Sequence, residues 1–364
     1  MTRNQKIKIL YIIPSLNSGG AERFLLDLIY NLNLDIFEPS LLLFNGQGFF
    51  YSEAIDRNLN VKALKKKFKI DIFNFYSIYK HIKKIKPDIV HTQLGGDIYG
   101  KIAAKLAGVK NIVSTEQNVL INDNKIIKFF KKRTAGFSNK IIAISSAVKR
   151  DIIENYQVSS EKINLIFNGI SVEKFQQDRK PSLNKNQIVF GSIGRLTSQK
   201  NFSLLIEALS KIKNKNFKCL IAGEGELREK LEKEIKKYDL TDKIELLGLK
   251  KDIKGFLSEL DFFVLPSKWE GLGVVLLEAG LSRLPVLASA TGGILDIIKD
   301  KKTGILFKNN NVNDLVNKID YFLDSKNKKD LIVLGDNLFN YIIDKFDIKK
   351  VASQYESVYL NLIK

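Results

Sequence analysis

Two carboxylates eight positions apart, Glu270 and Glu278, bracket a glycine-bearing turn in the segment DFFVLPSKWEGLGVVLLEA, residues 261–279. An apolar, strand-like run stops at Pro266. A loop with Trp269, Glu270, Gly271, Leu272 and Gly273 follows, and helical spacing is expected from about Gly273. The first turn of a helix has backbone N–H groups without helical partners and carries the positive end of the dipole. Glycines let ligand oxygens approach such a backbone closely. Together they make an anion site suited to phosphate. Eight residues of helix span about 12 Å at ~1.5 Å each. One carboxylate can therefore face the sugar side of a diphosphate while the other reaches a nucleoside ribose. Each can accept two hydrogen bonds from a vicinal diol. Just beyond another apolar run, GRLTSQKN (194–201) places Arg195 and Lys200, a guanidinium fork and a point charge, where they can hold the same anion.

Glu270 and Glu278 resemble the paired-glutamate signature of retaining glycosyltransferases of family 4. Its usual form is Glu-Gly-(Phe/Leu)-Gly, three or four apolar positions, then Glu-Ala. Arg195 and Lys200 match the family loop whose Arg and Lys bind the donor diphosphate, and Gly19 and Gly20 in SGGAER (18–23) resemble the glycine loop that closes over the phosphates. The resemblance implies catalytic roles for Glu270, Arg195 and Lys200. Donor binding falls to Gly19, Gly20, Gly271, Leu272, Gly273 and Glu278. AGEGELR (222–228), TGG (291–293), TGILF (303–307) and IFNGI (166–170) also match, as structural turns. Two family histidines are replaced here, by Gln93 in VHTQ and by Gln117 in STEQN. A glutamine can hydrogen-bond a sugar hydroxyl but cannot titrate, so Gln117 is a candidate sugar contact. His91 either touches the donor or makes a structural hydrogen bond.

The elements that must position these residues alternate. Strand runs at 7–13, 40–44, 88–91, 111–114, 140–144 and 162–166 are separated by helical stretches such as 22–32. Repeated strand–helix units indicate a parallel sheet with right-handed crossovers. The polar, aperiodic stretch 175–187 reads as a linker. Strand runs resume at 188–193, 217–222, 244–247, 262–265 and 285–288. The fold class is α/β: two Rossmann-like, doubly wound domains, with ligands beyond the carboxyl ends of the strands. The boundaries are 1–180 for an acceptor-side domain and 187–345 for a nucleotide-sugar-binding domain. A C-terminal helix over 346–364 is expected to pack back on the first. The resemblance implies the GT-B arrangement, with both domains facing a central donor cleft.

At 364 residues, 45% hydrophobic and 27% charged, the chain has a globular composition. The net charge of +19 invites an anionic partner, unless it reflects drift toward lysine. It is concentrated early: residues 1–180 hold 29 Lys and Arg against 16 Asp and Glu. The run 125–133 (KIIKFFKKR), if helical, separates Lys125, Lys128 and Lys132 from Ile126, Ile127 and Phe130. Such a helix suits an anionic lipid interface, or a solvated surface with its apolar face turned to the core. Similar cationic runs occur at 65–69 and 80–86. No nucleic-acid module is recognisable. Cys219 stands alone in an apolar run and reads as an inert buried thiol. Two histidines and one cysteine leave no metal cluster, and no cofactor is expected. No apolar segment approaches the roughly 20 residues of a membrane span. The expectation is therefore a metal-independent, retaining hexosyltransferase-type enzyme, cytoplasmic or peripheral on the inner membrane's cytoplasmic face. It would use a nucleotide-sugar, UDP-linked by preference, and a glycan or lipid-linked glycan acceptor in cell-surface polysaccharide synthesis. A GT-B-shaped epimerase or hydrolase, and a non-catalytic glycan- or partner-binding relative, are the alternatives.

Overall fold

Strands in the first half are continuous apolar runs because both of their faces are covered. In the computed structural model, which describes residues 5–66, 68, 71–119, 125–176, 187–214 and 216–364, Ile9, Tyr11 and Ile13 point into one core. Leu10 and Ile12 point into another. This is the period of two expected of a strand between two helical layers.

The chain divides into two compact units, one of residues 1–169 with 348–364 and one of residues 170–347. The first begins with β1 (Ile7–Ile13), α1 (Gly20–Tyr30), β2 (Phe37–Leu43), α2 (Tyr51–Asp56) and β3 (Asn60–Ala63). It continues with α3 (Ile72–Ile85), β4 (Ile89–Gln93), α4 (Gly96–Leu106), β5 (Asn111–Glu116) and α5 (Lys125–Ala135). Next come β6 (Lys140–Ala143), α6 (Ser146–Tyr156) and β7 (Ile163–Leu165). All seven strands are parallel, in the order β3-β2-β1-β4-β5-β6-β7. Helices α3 and α4 cover the face of Leu10 and Ile12, while α1 covers the other.

The second unit runs through α7 (Val172–Phe175), β8 (Ile188–Ile193), α8 (Phe202–Lys211), β9 (Phe217–Ala222) and α9 (Arg228–Lys237). It goes on with β10 (Ile244–Gly248), α10 (Ile253–Glu259), β11 (Phe262–Leu265), α11 (Val275–Leu281) and β12 (Val286–Ser289). It ends with α12 (Ile294–Ile297), β13 (Ile305–Phe307), α13 (Val312–Leu323) and α14 (Lys328–Lys345). Its six parallel strands are ordered β10-β9-β8-β11-β12-β13. In both sheets the strand order reverses beside the first strand, so β1/β4 and β8/β11 are the switch points where α/β sheets bind ligands.

The first unit closes at Gly169, earlier than the boundary at 180 drawn from the sequence. Ile170 already pairs with Asp347 and α7 packs on α11, which commits residues 170–175 to the second unit. The polar stretch itself, 177–186, lies outside the described residues, as do Lys67 and Lys69 of the 65–69 run. The last helix, α15 (Ile348–Ile363), belongs to the first unit. There it buries Val351, Tyr355 and Tyr359 beside α1. Cys219 is fully buried in the second core and its thiol pKa is pushed far up by desolvation.

Candidate functional site

The second unit brings Lys200 and Glu270 into contact from loops after neighbouring strands. Lys200 follows β8 and Glu270 follows β11, and Lys200 Nζ lies 2.5 Å from Glu270 Oε1. Ser267 Oγ donates to the same oxygen at 2.7 Å, while Gln199 Nε2 donates to the Trp269 carbonyl at 3.1 Å. Glu270 is thereby held nearly buried, its carboxylate oriented by Lys200, by Ser267 and, at 3.5 Å from Oε2, by Gln199 Nε2.

The loop's shape depends on glycines. Gly273 adopts a φ of +90°, which L side chains rarely take. Gly293 lies so close to the loop that a Cβ there would run into Gly271 O and approach Leu272 Cα to 2.6 Å. Its N–H donates to the Glu270 carbonyl at 3.1 Å, and Ser289 Oγ donates to Ser267 O at 2.6 Å. The TGG turn is thus structural, as its sequence suggests, and what it supports is the candidate site. No side chain caps α11, and among the described residues no acceptor meets the backbone N–H groups of Leu272, Gly273, Val274 and Val275. These unpaired amides and Lys200 form an electropositive patch beside Glu270.

Glu278 is placed differently from the sequence expectation. Helix α11 starts at Val275, so Glu278 lies one turn in, and the helical part of the span is about 5 Å rather than 12. Its carboxyl is pushed up to about 7 by desolvation, with the charge of Lys200 pulling the other way. Lys200 therefore acts electrostatically on both glutamates. Arg195 is exposed, and its side chain makes no hydrogen bond or ion pair with the described residues.

In the first unit, Gly19 is the extended N-cap of α1 and Gly20 its first residue, with no side-chain cap. Glu22 folds its carboxyl back against Gly19, the place that the acid of a capping box takes. A phosphate docking there has to displace that carboxylate.

His91 is not placed to touch a sugar. It is 1% exposed, with Nδ1 2.6 Å from Tyr359 Oη and Nε2 2.8 Å from Thr115 Oγ1. Burial holds its pKa down to about 3, so it stays neutral and serves to dock α15. Gln117 is also enclosed. Its Oε1 accepts from Asn168 Nδ2 at 2.8 Å, and its Nε2 donates to Gln93 Oε1 at 3.1 Å. Three amides, from the ends of β4 and β5 and from the turn after β7, thus form one chain at the carboxyl rim. Gln93 and Gln117, the two replacements for family histidines, are hydrogen-bonded to each other.

Sequence reasoning missed Gln199 and Ser267, although their nearness to Lys200 and Glu270 was a usable signal. It also missed a buried charge cluster. Lys101 Nζ lies 3.7 Å from Glu116 Oε1 and 4.0 Å from Asp97 Oδ1, and Lys131 Nζ lies 3.9 Å from Glu116 Oε2. Desolvation and Glu116 raise the Asp97 pKa to about 7. The i, i+4 spacing of Asp97 and Lys101 was visible, but not that both are buried.

Residues 18–174 match the sequence signature described as Glycosyltransferase Family 4, and residues 173–333 that described as Glycosyl transferases group 1. The Escherichia coli UDP-Gal:alpha-D-GlcNAc-diphosphoundecaprenol alpha-1,3-galactosyltransferase is 31% identical over 313 residues, 80% of each chain. The chain belongs to glycosyltransferase family 4. This glycosyltransferase is also 28% identical over 342 residues to a Campylobacter jejuni enzyme, covering 90% of this chain and 92% of the relative. That enzyme is the GalNAc-alpha-(1->4)-GalNAc-alpha-(1->3)-diNAcBac-PP-undecaprenol alpha-1,4-N-acetyl-D-galactosaminyltransferase. Anabaena HepE in complex with UDP superposes with a TM-score of 0.85 at 21% identity, over 98% of the glycosyltransferase and all of that chain. A Rickettsia africae glycosyltransferase gives 0.85 at 24% identity, over 99% of both chains. Two parallel-sheet, Rossmann-like units of the GT-B fold are therefore the architecture of the glycosyltransferase. Among the described residues no helix is long and apolar enough to cross a membrane, and no group of three or more His, Cys, Asp or Glu is arranged to hold a metal ion.

Proposed function

We propose that the enzyme transfers a sugar, with retention of configuration, from a UDP-sugar to a lipid-linked glycan acceptor in the synthesis of a cell-surface polysaccharide. The observation that carries this reading is the contact of Lys200 with Glu270 beside four unpaired backbone amides. A sugar diphosphate offers a match for each part. Its phosphates suit Lys200, Arg195 and the amides, and its sugar hydroxyls suit Glu270. The ribose suits Glu278. As the bond from the sugar to the diphosphate breaks, fixed positive groups stabilise the charge on the leaving oxygen. Such preorganised electrostatics is usually the largest catalytic contribution. The leaving phosphate itself accepts the proton of the acceptor hydroxyl. No metal is required in this scheme, because Lys200, Arg195 and the amides take its place. The choice of UDP is supported by HepE, which binds UDP with the same fold, and by the E. coli relative, whose name specifies UDP-Gal. The acceptor class is supported by the diphosphoundecaprenol and PP-undecaprenol acceptors in the two relatives' names. Work on such acceptors calls for a place at the membrane surface, and the cationic helix α5 suits it.

Thermal shift with UDP, GDP and ADP and their sugars is the direct test, since a ligand that binds only the folded state raises the apparent stability. UDP-sugars are expected to raise Tm and the others to leave it nearly unchanged. A shift with GDP- or ADP-sugars instead reassigns the donor, and no shift with any of them overturns the reading.

A further inference from the structure

Two donors in the second unit share one carboxylate oxygen. Glu270 Oε1 accepts from Lys200 Nζ at 2.5 Å and from Ser267 Oγ at 2.7 Å, whereas Oε2 has the Gln199 amide alone, at 3.5 Å. A carboxylate oxygen offers two lone pairs, so Oε1 is saturated and Oε2 is the oxygen left for a sugar hydroxyl. Lys200 has three N–H donors, and one of them goes to Glu270. The same ammonium is therefore asked to serve two anions: the carboxylate it holds in the empty site, and the diphosphate of the donor.

The three groups differ in what can move. The Glu270 backbone is wedged against the turn at 291–293: a Cβ on Gly292 would run into Glu270 O, and Gly293 N donates to that oxygen at 3.1 Å. Ser267 is fully buried two residues past β11, and its own carbonyl accepts from Ser289 Oγ at 2.6 Å. The Lys200 stem lies against Gly194, where a Cβ would approach its Cδ and Cε to 3.0 Å. What remains free to turn is the ammonium end of Lys200. A diphosphate docking on the amides of Leu272 to Val275 draws it away from Glu270, and charge growing on the leaving oxygen draws it further. Glu270 is 6% exposed, so water does not fill the vacated place. A buried carboxylate stripped of its close donors is costly. Ser267 Oγ stays where it is.

We propose that Ser267 is a positioning residue that holds the Glu270 carboxylate in place while Lys200 turns from it to the donor diphosphate. That role rests on the reading of Lys200 as a diphosphate ligand. Its consequence is a coupling at a distance of one side chain. Ser267 touches no substrate, yet it sets how readily a diphosphate is held, and it does so only through Glu270. Without its hydroxyl, Lys200 is the last close donor to a nearly buried carboxylate and is retained there. A serine that merely shapes the loop has a different signature, since its loss is felt whether or not Glu270 carries a charge.

The test is a double-substitution cycle on the full chain, read by calorimetric titration of UDP and of inorganic pyrophosphate, neither of which carries a sugar for Glu270. Ser267→Ala is expected to weaken both about tenfold, the scale of one hydrogen bond to a charged group. In Glu270→Gln, whose neutral amide does not retain Lys200, the same alanine is expected to change either affinity less than about twofold. Ser267→Cys fills the volume with a weak donor and is expected to follow the alanine. In turnover, Ser267→Ala is expected to raise the donor KM and to lower kcat by about tenfold besides, because the pull on Lys200 is greatest in the transition state. Equal losses of affinity in the two backgrounds make Ser267 a residue that shapes the loop, and overturn the proposal. Wild-type behaviour of Ser267→Cys overturns it as well, and so does an unchanged pyrophosphate affinity in Ser267→Ala. Pyrophosphate binding with the expected pattern but no UDP binding sinks only the choice of nucleotide. UDP binding with equal losses sinks only the role of Ser267, and a wild type that binds neither ligand overturns both readings.

Discussion

At the scale of single residues, the candidate site is a set of charges whose separate removal has separate signatures. Arg195→Ala and Lys200→Ala are each expected to lower turnover by roughly 10²–10³, the effect of losing one donor to a developing oxyanion. Near-normal steady-state kinetics in both variants rules out the diphosphate role. Glu270→Gln is expected to reduce kcat by about 10², through misorientation of the reacting sugar, with nucleoside diphosphate affinity nearly unchanged. Glu278→Gln is expected to weaken nucleoside diphosphate binding and to raise the donor KM more than it lowers kcat. Calorimetric titration with UDP distinguishes them, since UDP has a ribose but no sugar. Glu278 also predicts a pH dependence. Its folded pKa of about 7 lies above the ordinary 4.5, so the folded protein retains a proton that the unfolded chain gives up. The resulting destabilisation is absent below pH 4.5 and fully developed above 7, and amounts to about 3 kcal/mol at most. Urea unfolding of Glu278→Gln is therefore expected to lose less stability than the wild type between those limits. A parallel decline in both proteins contradicts the assignment.

Arg195 with Lys200, and Glu270 with Glu278, could be singled out in the sequence because each pair lies within one short segment, 194–201 and 261–279, whose spacing carries the pattern. His91 could not. Its partner Tyr359 lies 268 positions away, so nothing local separates a ligand contact from a buried hydrogen bond. Gln117 was read as a sugar contact for the same reason, since Asn168, which satisfies its carbonyl, arrives from a distant turn.

At the scale of elements, the buried strands were the easiest to read and the edges the hardest. The short strands β3 and β13 escaped detection, and each lies at the end of its sheet. One side of β3 faces water, so its sequence NVKA shows no apolar run, and its residues alternate between exposed and half-buried. The start of α11 was placed two residues early because Gly273 and Val274 continue the apolar pattern, while the φ of Gly273 keeps it outside the helix. The loop before α11 depends on another element, the turn at 291–293. Gly293→Ala brings a methyl group into Gly271 O, so the whole loop must shift. Displacing reacting groups by about 1 Å costs on the order of 10² in rate. The variant is expected to fold, to lose about that much turnover and to bind UDP more weakly. Wild-type kinetics with alanine there means that the loop tolerates a different path.

At the scale of the whole molecule, the chain leaves its first unit at Gly169 and returns to it at Ile348. The final helix completes a core begun by the first strand: Tyr359 Oη lies 3.0 Å from Tyr11 Oη and 2.6 Å from His91 Nδ1. Tyr359→Phe keeps the ring and its packing but leaves both of those groups without this partner in a dry core. A buried polar group left unpaired costs roughly 1–3 kcal/mol. The loss falls on the first unit, since every atom involved belongs to it. The single tryptophan, Trp269, lies in the second unit, so its fluorescence follows that unit, whereas far-UV circular dichroism follows both. In urea, Tyr359→Phe is expected to bring an early circular-dichroism transition to lower denaturant while the tryptophan transition stays where it was. UDP affinity, which the proposed function assigns mainly to Lys200, Glu278 and the loop amides, is expected to change less than about twofold, because none of those groups is disturbed. If both signals move together, the two units unfold as one cooperative body, and the separate cores do not act as separate stabilities.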